Sequence, residues 1–322
     1  MNNEILFIGP KFYNYHSLIY QKLTKYGNVI FFPEKIPNFI FSIFNTLMPS
    51  SIDVLQKVYF YYILFKLRNK KNITHLFVIR AYKMPNFFLR KIKANYPDIK
   101  LIMYQWDSCK NNNYLDLIPY FDDVFTFDHQ DSLNINSLKF LQLFFTDEIK
   151  SLRENSYKNI YKYDLLCICS FSTDRYNLIN QLITNEELFI KAIVYIPYST
   201  YLKFKYLKGL KLNRDILTFK PIAKEVYLQF LTESNIVIDF SHSTQSGLSM
   251  RVIEGLGAGK KIITTNKYSI KNPIYDEKYI IFKEIDDIKK ISKSELRNFE
   301  SNNIPVFDEF HIDKWLEKMI VC

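Results

Sequence analysis

The residues with the clearest chemical meaning lie in one segment, Gly247–Asn266, with the sequence GLSMRVIEGLGAGKKIITTN. The pattern predicts a loop, a short helix and a buried strand, and it places Arg251 and Glu254 on one helical face. A cation and exposed backbone N–H groups near a helix start bind phosphate, and a carboxylate accepts hydrogen bonds from ribose hydroxyls. The segment therefore has the chemistry to hold a nucleotide diphosphate.

The loop before this helix, Ser243–Ser249, consists of small or polar residues apart from Leu248. A glycine at Gly247 lets the backbone approach a ligand closely. We expect Gln245, Ser246 and Gly247 to cradle phosphate or sugar oxygens, and an ordinary surface loop is the alternative.

The segment resembles the donor-binding motif of GT-B glycosyltransferases, in which a glutamate-bearing helix precedes a small-residue turn and a strand that ends in threonine. Here the corresponding residues are Glu254, then Gly255, Ala258 and Gly259, then Ile262–Thr265. With Asp239 and the run QSGLSMRVIE leading in, it looks like bacterial transferases of capsule and lipopolysaccharide biosynthesis. The resemblance implies that Glu254 binds the donor ribose and that Arg251 binds the diphosphate.

The chain departs from the family pattern at two positions. Many retaining members carry a second glutamate eight residues before the ribose glutamate, where this chain has Ser246, so their sugar-contacting acid is absent. A loop of the same superfamily places an Arg and then a Lys on the diphosphate. In the matching run, CSFSTDRY, Arg175 takes the Lys position and Ser170 the Arg position. Lys220, which precedes a predicted helix, is a further candidate for shaping the base pocket.

The N-terminal half offers candidates for an acceptor base, which an inverting sugar transfer needs in order to deprotonate a hydroxyl. Asp107 follows the predicted strand LIMYQW and is the leading candidate. His16 lies early in the first predicted helix, and Asp128 and Asp131 follow the next strand. Each of these residues could instead cap a helix or support a neighbour.

Strands and helices alternate along the chain, which predicts parallel, doubly wound sheets with ligands beyond the carboxyl ends of the strands. The pattern restarts after a polar stretch, Thr146–Lys162, read as a linker. The expected fold is α/β, with two Rossmann-like domains facing a cleft as in GT-B enzymes. Residues 1–150 form the acceptor domain, residues 151–306 the donor domain, and residues 307–322 a C-terminal helix that crosses back to the first domain.

Composition narrows the class of protein. The 322 residues are 48% hydrophobic, which suits two folded cores, and the formal net charge is +10. No zinc-finger spacing, nucleic-acid-binding aromatic strand or basic helix is present, so a nucleic-acid partner is not expected. The four cysteines include no C-x-x-C pair, and no signal peptide is visible, which indicates a cytoplasmic protein.

An uncharged apolar stretch, Ile36–Pro49, is followed by Tyr59–Phe65 and then by the basic residues Lys66, Arg68, Lys70 and Lys71. An apolar surface beside cations can rest on the anionic inner face of a membrane. The alternative is a helix pair buried in the N-terminal core.

The resemblance implies a glycosyltransferase that moves a sugar from a nucleotide-activated donor to a glycan or lipid-linked glycan acceptor. No cofactor and no catalytic metal are expected, because the fold usually stabilises the leaving diphosphate with cations and helix N-termini. Two alternatives are a nucleotide-sugar epimerase on the same fold and a non-catalytic subunit of a polysaccharide assembly complex.

Overall fold

The chain divides into two compact units, each with its own sheet. The structure, a computed structural model, describes residues 3–36, 48–154, 161–241, 245–299 and 304–321. One unit comprises Met1–Gln142 together with Ile312–Cys322, and the other comprises Leu143–His311. The boundaries that the sequence predicts lie at residues 150 and 306.

The first unit is built on a parallel sheet of six strands in the order β2-β1-β3-β4-β5-β6. Helices alternate with these strands. In chain order the elements are β1 (Glu4–Gly9), α1 (Tyr15–Leu23), β2 (Asn28–Pro33), α2 (Ile52–Leu67), β3 (Ile73–Ile79), α3 (Asn86–Asn95), β4 (Lys100–Gln105), β5 (Asp123–Thr126), α4 (His129–Asn134) and β6 (Lys139–Phe140). Short 3-10 helices occur at Pro49–Ser51 and Leu115–Tyr120.

The second unit repeats this plan with a parallel sheet in the order β12-β11-β10-β7-β8-β9. Its elements are α5 (Asp147–Glu154), β7 (Tyr163–Ser170), α6 (Thr173–Leu182), β8 (Ile190–Tyr195), α7 (Tyr198–Leu202), β9 (Leu217–Thr218), α8 (Lys224–Glu233), β10 (Ser234–Asp239), α9 (Met250–Gly257), β11 (Lys261–Thr264), β12 (Ile280–Phe282), α10 (Ile285–Ile288) and α11 (Lys293–Phe299). A π-helical turn spans Lys203–Leu207, and 3-10 helices span Arg214–Ile216, Ser269–Lys271 and Asp308–Phe310.

The central strands of the first sheet are apolar on both faces because helices cover both faces. On one face, Leu6 and Val78 pack in a core that also contains Phe60 of α2 and Phe88 of α3. On the other face, the ring of Phe77 lies against the buried Trp315. This double burial explains why the strands read as continuous apolar runs.

The last helix, α12 (Ile312–Ile320), belongs to the first unit, as the expected fold required. Its Trp315 is fully buried, with its ring centroid 4.7 Å from that of Tyr104. Its Asp313 pairs with Lys22 and Lys25 at 2.9 Å each. The C-terminal segment therefore completes the core of a unit formed mainly by the N-terminal half.

Several local predictions differ from the structure. The predicted linker, Thr146–Lys162, contains helix α5, whose Ile149 is buried, and its residues 155–160 lie outside the described residues. The single C-terminal helix predicted over residues 307–322 is a 3-10 turn followed by α12. Among the described residues, no helix is long and apolar enough to span a bilayer.

Candidate functional site

The predicted donor-binding residues gather at the carboxyl ends of neighbouring strands in the second unit. Strand β10 ends at Asp239, which lies opposite Thr264 at the end of β11. The loop of residues 245–249 leads from this edge into α9, which carries Arg251 and Glu254. In parallel α/β sheets this edge is where ligands bind.

Asp239 organises the start of α9. It is 1% exposed and accepts hydrogen bonds from Ser249 Oγ at 2.7 Å, Arg251 Nη1 at 2.8 Å and Thr264 Oγ1 at 3.1 Å. Ser249 is also the N-cap of α9, because its Oγ accepts from the backbone N–H of Val252. One buried carboxylate thus joins two strand ends to the first turn of the helix.

Arg251 is consequently a member of a buried ion pair as well as a candidate ligand. Its side chain is 25% exposed, so part of it reaches the surface while Nη1 contacts Asp239. Burial is the largest single influence on the pKa of Arg251 and lowers it, but Asp239 together with Cys169, Tyr227 and Glu254 outweighs burial, so the pKa lies above its ordinary value. The side chain is a permanent cation at the carboxyl edge of the sheet.

Glu254 lies one turn further along α9 and is 7% exposed. Its Oε2 accepts a hydrogen bond from the hydroxyl of Tyr227, on α8, at 2.8 Å. Burial, and then the neighbouring Glu254, raise the pKa of Tyr227 well above 10, so the phenol stays protonated and keeps donating. The carboxylate is therefore oriented by a side chain from another helix.

Glycines allow α9 to lie close to the elements around it. A Cβ on Gly255 would stand 2.6 Å from Ile262 Cδ1, and one on Gly257 would stand 2.6 Å from the Phe145 ring. Both glycines belong to the helix, whereas the sequence analysis placed Gly255 in the turn. Gly259, with φ +71°, makes the turn into β11.

The loop before α9 is held by the side chain of Asn266, which follows β11. Its Nδ2 donates to the carbonyl oxygens of Ser246 and Gly247 at 3.0 and 3.1 Å. Gln245 Nε2 also donates to the carbonyl of Gly247, at 3.0 Å. Residues 243 and 244 of the loop predicted over Ser243–Ser249 lie outside the described residues.

Arg175 lies in the first turn of α6, where its backbone N–H donates to the N-cap hydroxyl of Ser172. Burial raises the pKa of the Cys169 thiol, at the end of β7. The positive charges of Arg251 and Arg175 oppose this rise, so both cations act on the same end of β7. Lys220 is exposed in the segment after β9, and its backbone N–H donates to Thr218 Oγ1. Cys167 and Cys169 are buried, as the alternating pattern of β7 predicts.

In the first unit, Asp107 follows β4 and is partly exposed. Its side chain is 37% exposed, and its Oδ2 lies 3.4 Å from Arg80 Nη1. His16 is half-buried in α1, and its pKa is lowered by burial and by the nearby Lys11. A neutral imidazole and an exposed carboxylate are both able to accept a proton.

Asp128 and Asp131 have structural contacts. Asp128 is 1% exposed and caps α4, with Oδ1 accepting from the backbone N–H groups of Gln130 and Asp131. Asp131 Oδ2 accepts from the backbone N–H of Cys109 at 2.7 Å, and burial raises the pKa of this carboxyl. Asp128 thus caps a helix, and Asp131 supports the neighbouring segment at Cys109.

Sequence reasoning missed several partners of the site, namely Tyr227, Ser249, Thr264 and Asn266 in the second unit and Glu34 and Arg80 in the first. Two of them carried a readable signal. Ser249 immediately precedes a helical pattern, as N-caps do, and Arg80 follows a predicted strand just as Asp107 does. Tyr227 carried none, because only the packing of α8 against α9 brings it to Glu254.

No family model matches the sequence, and no curated protein matches it. Several solved structures are similar to this chain. The lipopolysaccharide outer core galactosyltransferase WaaB, in its apo form, is 10% identical with a TM-score of 0.56, covering 98% of each chain. Sucrose-phosphate synthase from Thermosynechococcus elongatus is 11% identical with a TM-score of 0.57, again covering 98% of each chain.

A UDP-N-acetylglucosamine 2-epimerase from Rickettsia bellii is also similar, with 11% identity and a TM-score of 0.59. The match covers 100% of this chain and 96% of that one. Identities this low establish architecture and not activity. The chain has the GT-B fold, with two parallel α/β units matched over nearly its whole length.

Proposed function

We propose that the protein is a glycosyltransferase that moves a sugar from a nucleotide-activated donor to a surface glycan, as in capsule or lipopolysaccharide assembly. The observation that carries the proposal is the arrangement around Asp239, which fixes the start of α9 at the carboxyl edge of the second sheet. In this arrangement Arg251 and Arg175 supply positive charge and Glu254 supplies an oriented carboxylate. Similar solved structures are sugar transferases and a nucleotide-sugar epimerase.

The proposed mechanism uses the chain's own residues. Arg251, Arg175 and the N-terminus of α9 stabilise the charge that builds on the leaving diphosphate, a role that requires no metal ion. Glu254 accepts hydrogen bonds from the ribose hydroxyls, with Lys220, Gln245, Ser246 and Gly247 around the nucleotide and sugar. Asp107 of the first unit accepts the proton of the acceptor hydroxyl.

The epimerase is the second candidate function, because one similar structure is a UDP-N-acetylglucosamine 2-epimerase. Incubation with a nucleotide sugar alone separates the two functions. An epimerase converts the sugar without an acceptor, whereas a transferase leaves it intact or hydrolyses it slowly. A non-catalytic subunit changes nothing and gives no stabilisation by donor.

Nucleotide binding is testable before the sugar or the acceptor is known. A thermal-shift series with UDP, GDP, ADP and CMP should identify one nucleotide that raises the unfolding midpoint. A ligand that binds only the folded state at one hundred times its Kd stabilises it by about 2.7 kcal/mol. No shift with any nucleotide or nucleotide sugar would contradict the proposed donor site.

Glu254→Ala should weaken binding of that nucleotide by roughly 1.5–3 kcal/mol, the scale of hydrogen bonds to a charged group. Tyr227→Phe is the matched control, because it removes the hydroxyl that contacts Glu254 and leaves the carboxylate in place. We expect the control to lose less affinity than Glu254→Ala in isothermal titration, because the carboxylate remains and loses only the hydroxyl that orients it. Equal affinity of folded Glu254→Ala and wild-type protein would rule out the ribose contact.

We also propose that helix α2 rests on an anionic membrane surface, where lipid-linked acceptors are found. Its outer face exposes a stripe of apolar side chains, Val54, Val58, Tyr61, Tyr62 and Phe65, while Phe60 and Ile63 of the same helix are fully buried. Lys66 lies over the Tyr62 ring and Arg68 over the Phe65 ring, so cations accompany the stripe. Of the apolar stretch Ile36–Pro49, residues 37–47 lie outside the described residues.

This surface predicts salt-sensitive binding to anionic vesicles and little binding to neutral ones, because each basic residue near an anionic surface contributes about 1 kcal/mol. Phe65→Ser should reduce the fraction of protein that sediments with the vesicles. It should not lower the stability of the fold, since Phe65 is 55% exposed. Phe189→Ser, at a 67% exposed phenylalanine beside Lys293, is the matched control in the other unit. Equal losses for the two variants would refute a specific role for α2.

A further inference from the structure

The first unit contains two charged residues, Glu34 and Arg80, that the proposed mechanism has not used and that lie beside the proposed base Asp107. Glu34, directly after β2, is 1% exposed, and its carboxylate pairs with the Arg80 guanidinium through two hydrogen bonds. The bond from Arg80 Nε to Glu34 Oε2 is 2.9 Å long. The outer nitrogen, Nη1, lies 3.4 Å from Asp107 Oδ2. The three residues follow β2, β3 and β4, so they share the carboxyl edge of the first sheet.

The backbone that carries Arg80 adopts a conformation that is rare for residues with a Cβ. Its φ is +72°, and φ is +53° at Ala81 and +47° at Lys83. Hydrogen bonds hold this conformation, because the Arg80 N–H donates to the Tyr104 carbonyl and the Arg80 carbonyl accepts from Asn112 Nδ2. Backbone strain of this kind concentrates at functional sites.

Each member of the cluster has a different exposure. Glu34 is buried, the Arg80 side chain is 26% exposed, and the Asp107 side chain is 37% exposed. Burial lowers the pKa of Arg80, but Glu34 and Asp107 together raise it above its ordinary value, so the arginine stays charged. Gln56 also holds the backbone of Glu34, because its side-chain amide donates to the Glu34 backbone carbonyl. Arg80 therefore connects the buried carboxylate of Glu34 to the carboxylate of Asp107, which reaches solvent.

We infer that Arg80, anchored by Glu34, is a positioning residue that fixes the orientation of the Asp107 carboxylate toward the acceptor hydroxyl. The inference rests on the proposed function, in which Asp107 is the acceptor base. A planar guanidinium can bridge two carboxylates at defined angles, which a flexible lysine ammonium does less well. A surface ion pair alone would not need a buried anchor and a strained loop.

The test measures transfer kinetics with saturating acceptor. Arg80→Met should lower kcat on the order of 10–100-fold, the cost of misplacing a reacting group, and leave the KM for donor within about twofold. Arg80→Lys should recover part of the loss. Lys83→Met is the control, because Lys83 lies on the same loop as Arg80 but forms an exposed ion pair with Asp53 of α2, so its replacement should leave kcat unchanged.

A double-mutant cycle shows whether Arg80 acts through Asp107. In the Asp107→Asn background, Arg80→Met should cause no further loss of kcat. Equal losses in both backgrounds, or a folded Arg80→Met variant with wild-type kcat, would overturn the inference. Retained transfer by Asp107→Asn would overturn it as well.

Removal of Arg80 leaves Glu34 buried without its partner, which can prevent folding. Glu34→Gln then serves as the second variant, because it keeps Arg80 and removes the charge of its anchor. It should lower kcat in the same way, and unchanged kcat would overturn the inference. Wild-type protein that never transfers sugar disproves the proposed function, whereas active transfer unaffected by both variants disproves this inference alone.

Discussion

Asp107→Asn should reduce sugar transfer by a factor on the order of 10²–10⁴, the contribution of a general base, and leave donor binding near normal. The amide keeps the size of the carboxylate but cannot accept the acceptor's proton. Asp107 belongs to the first unit and the predicted donor ligands to the second, so nucleotide affinity should not change. Initial rates with donor and acceptor, together with titration of the nucleotide, measure the two effects separately.

The matched control for this variant is Asp53→Asn. Asp53 also pairs with a cation of the loop after β3, Lys83, but its side chain is 66% exposed. We expect the control to transfer sugar at the wild-type rate. If Asp107→Asn keeps more than about a tenth of wild-type transfer, the base is another group, and His16 is the next candidate to replace.

Arg251→Ala should lower both stability and turnover. The substitution leaves Asp239 almost fully buried, with the hydroxyls of Ser249 and Thr264 as its side-chain donors among the described residues, and breaking a buried pair costs about 3 kcal/mol. Turnover should fall because the leaving phosphate loses a cation in the transition state. Urea unfolding measures the first effect, and steady-state kinetics at a temperature where the variant is folded measure the second.

Asp239→Asn combined with Arg251→Leu is the informative partner of that variant. Removing both charges should recover part of the stability lost by Arg251→Ala, because no uncompensated carboxylate remains. Turnover should stay low, since the cation is still missing. If Arg251→Ala raises the KM for donor and leaves kcat unchanged, Arg251 only binds the donor. If Arg251→Ala is as stable as the wild type, Asp239 does not need the ion pair.

The architecture of each unit was readable from local sequence because its elements are long enough to carry a pattern. Apolar runs such as Ile73–Ile79 are buried on both faces of a parallel sheet, and they alternate with helices that end near glycine or polar residues. The strands that the sequence did not reveal have two or three residues, namely β6, β9 and β12. Such strands form through pairing with an existing sheet edge, so they have no periodicity of their own.

The chemistry of the sites divides in the same way. Sequence alone determined that Arg251 and Glu254 share a short helix and that Asp107 follows a strand, because spacing and strand ends are local properties. Only the tertiary structure decided which groups those side chains meet. Tyr227 reaches Glu254 across 27 residues, and Arg80 reaches Glu34 across 46, through packing that no local pattern encodes. A buried charge needs a partner wherever the fold can supply one, so the identity of that partner is a property of the folded chain.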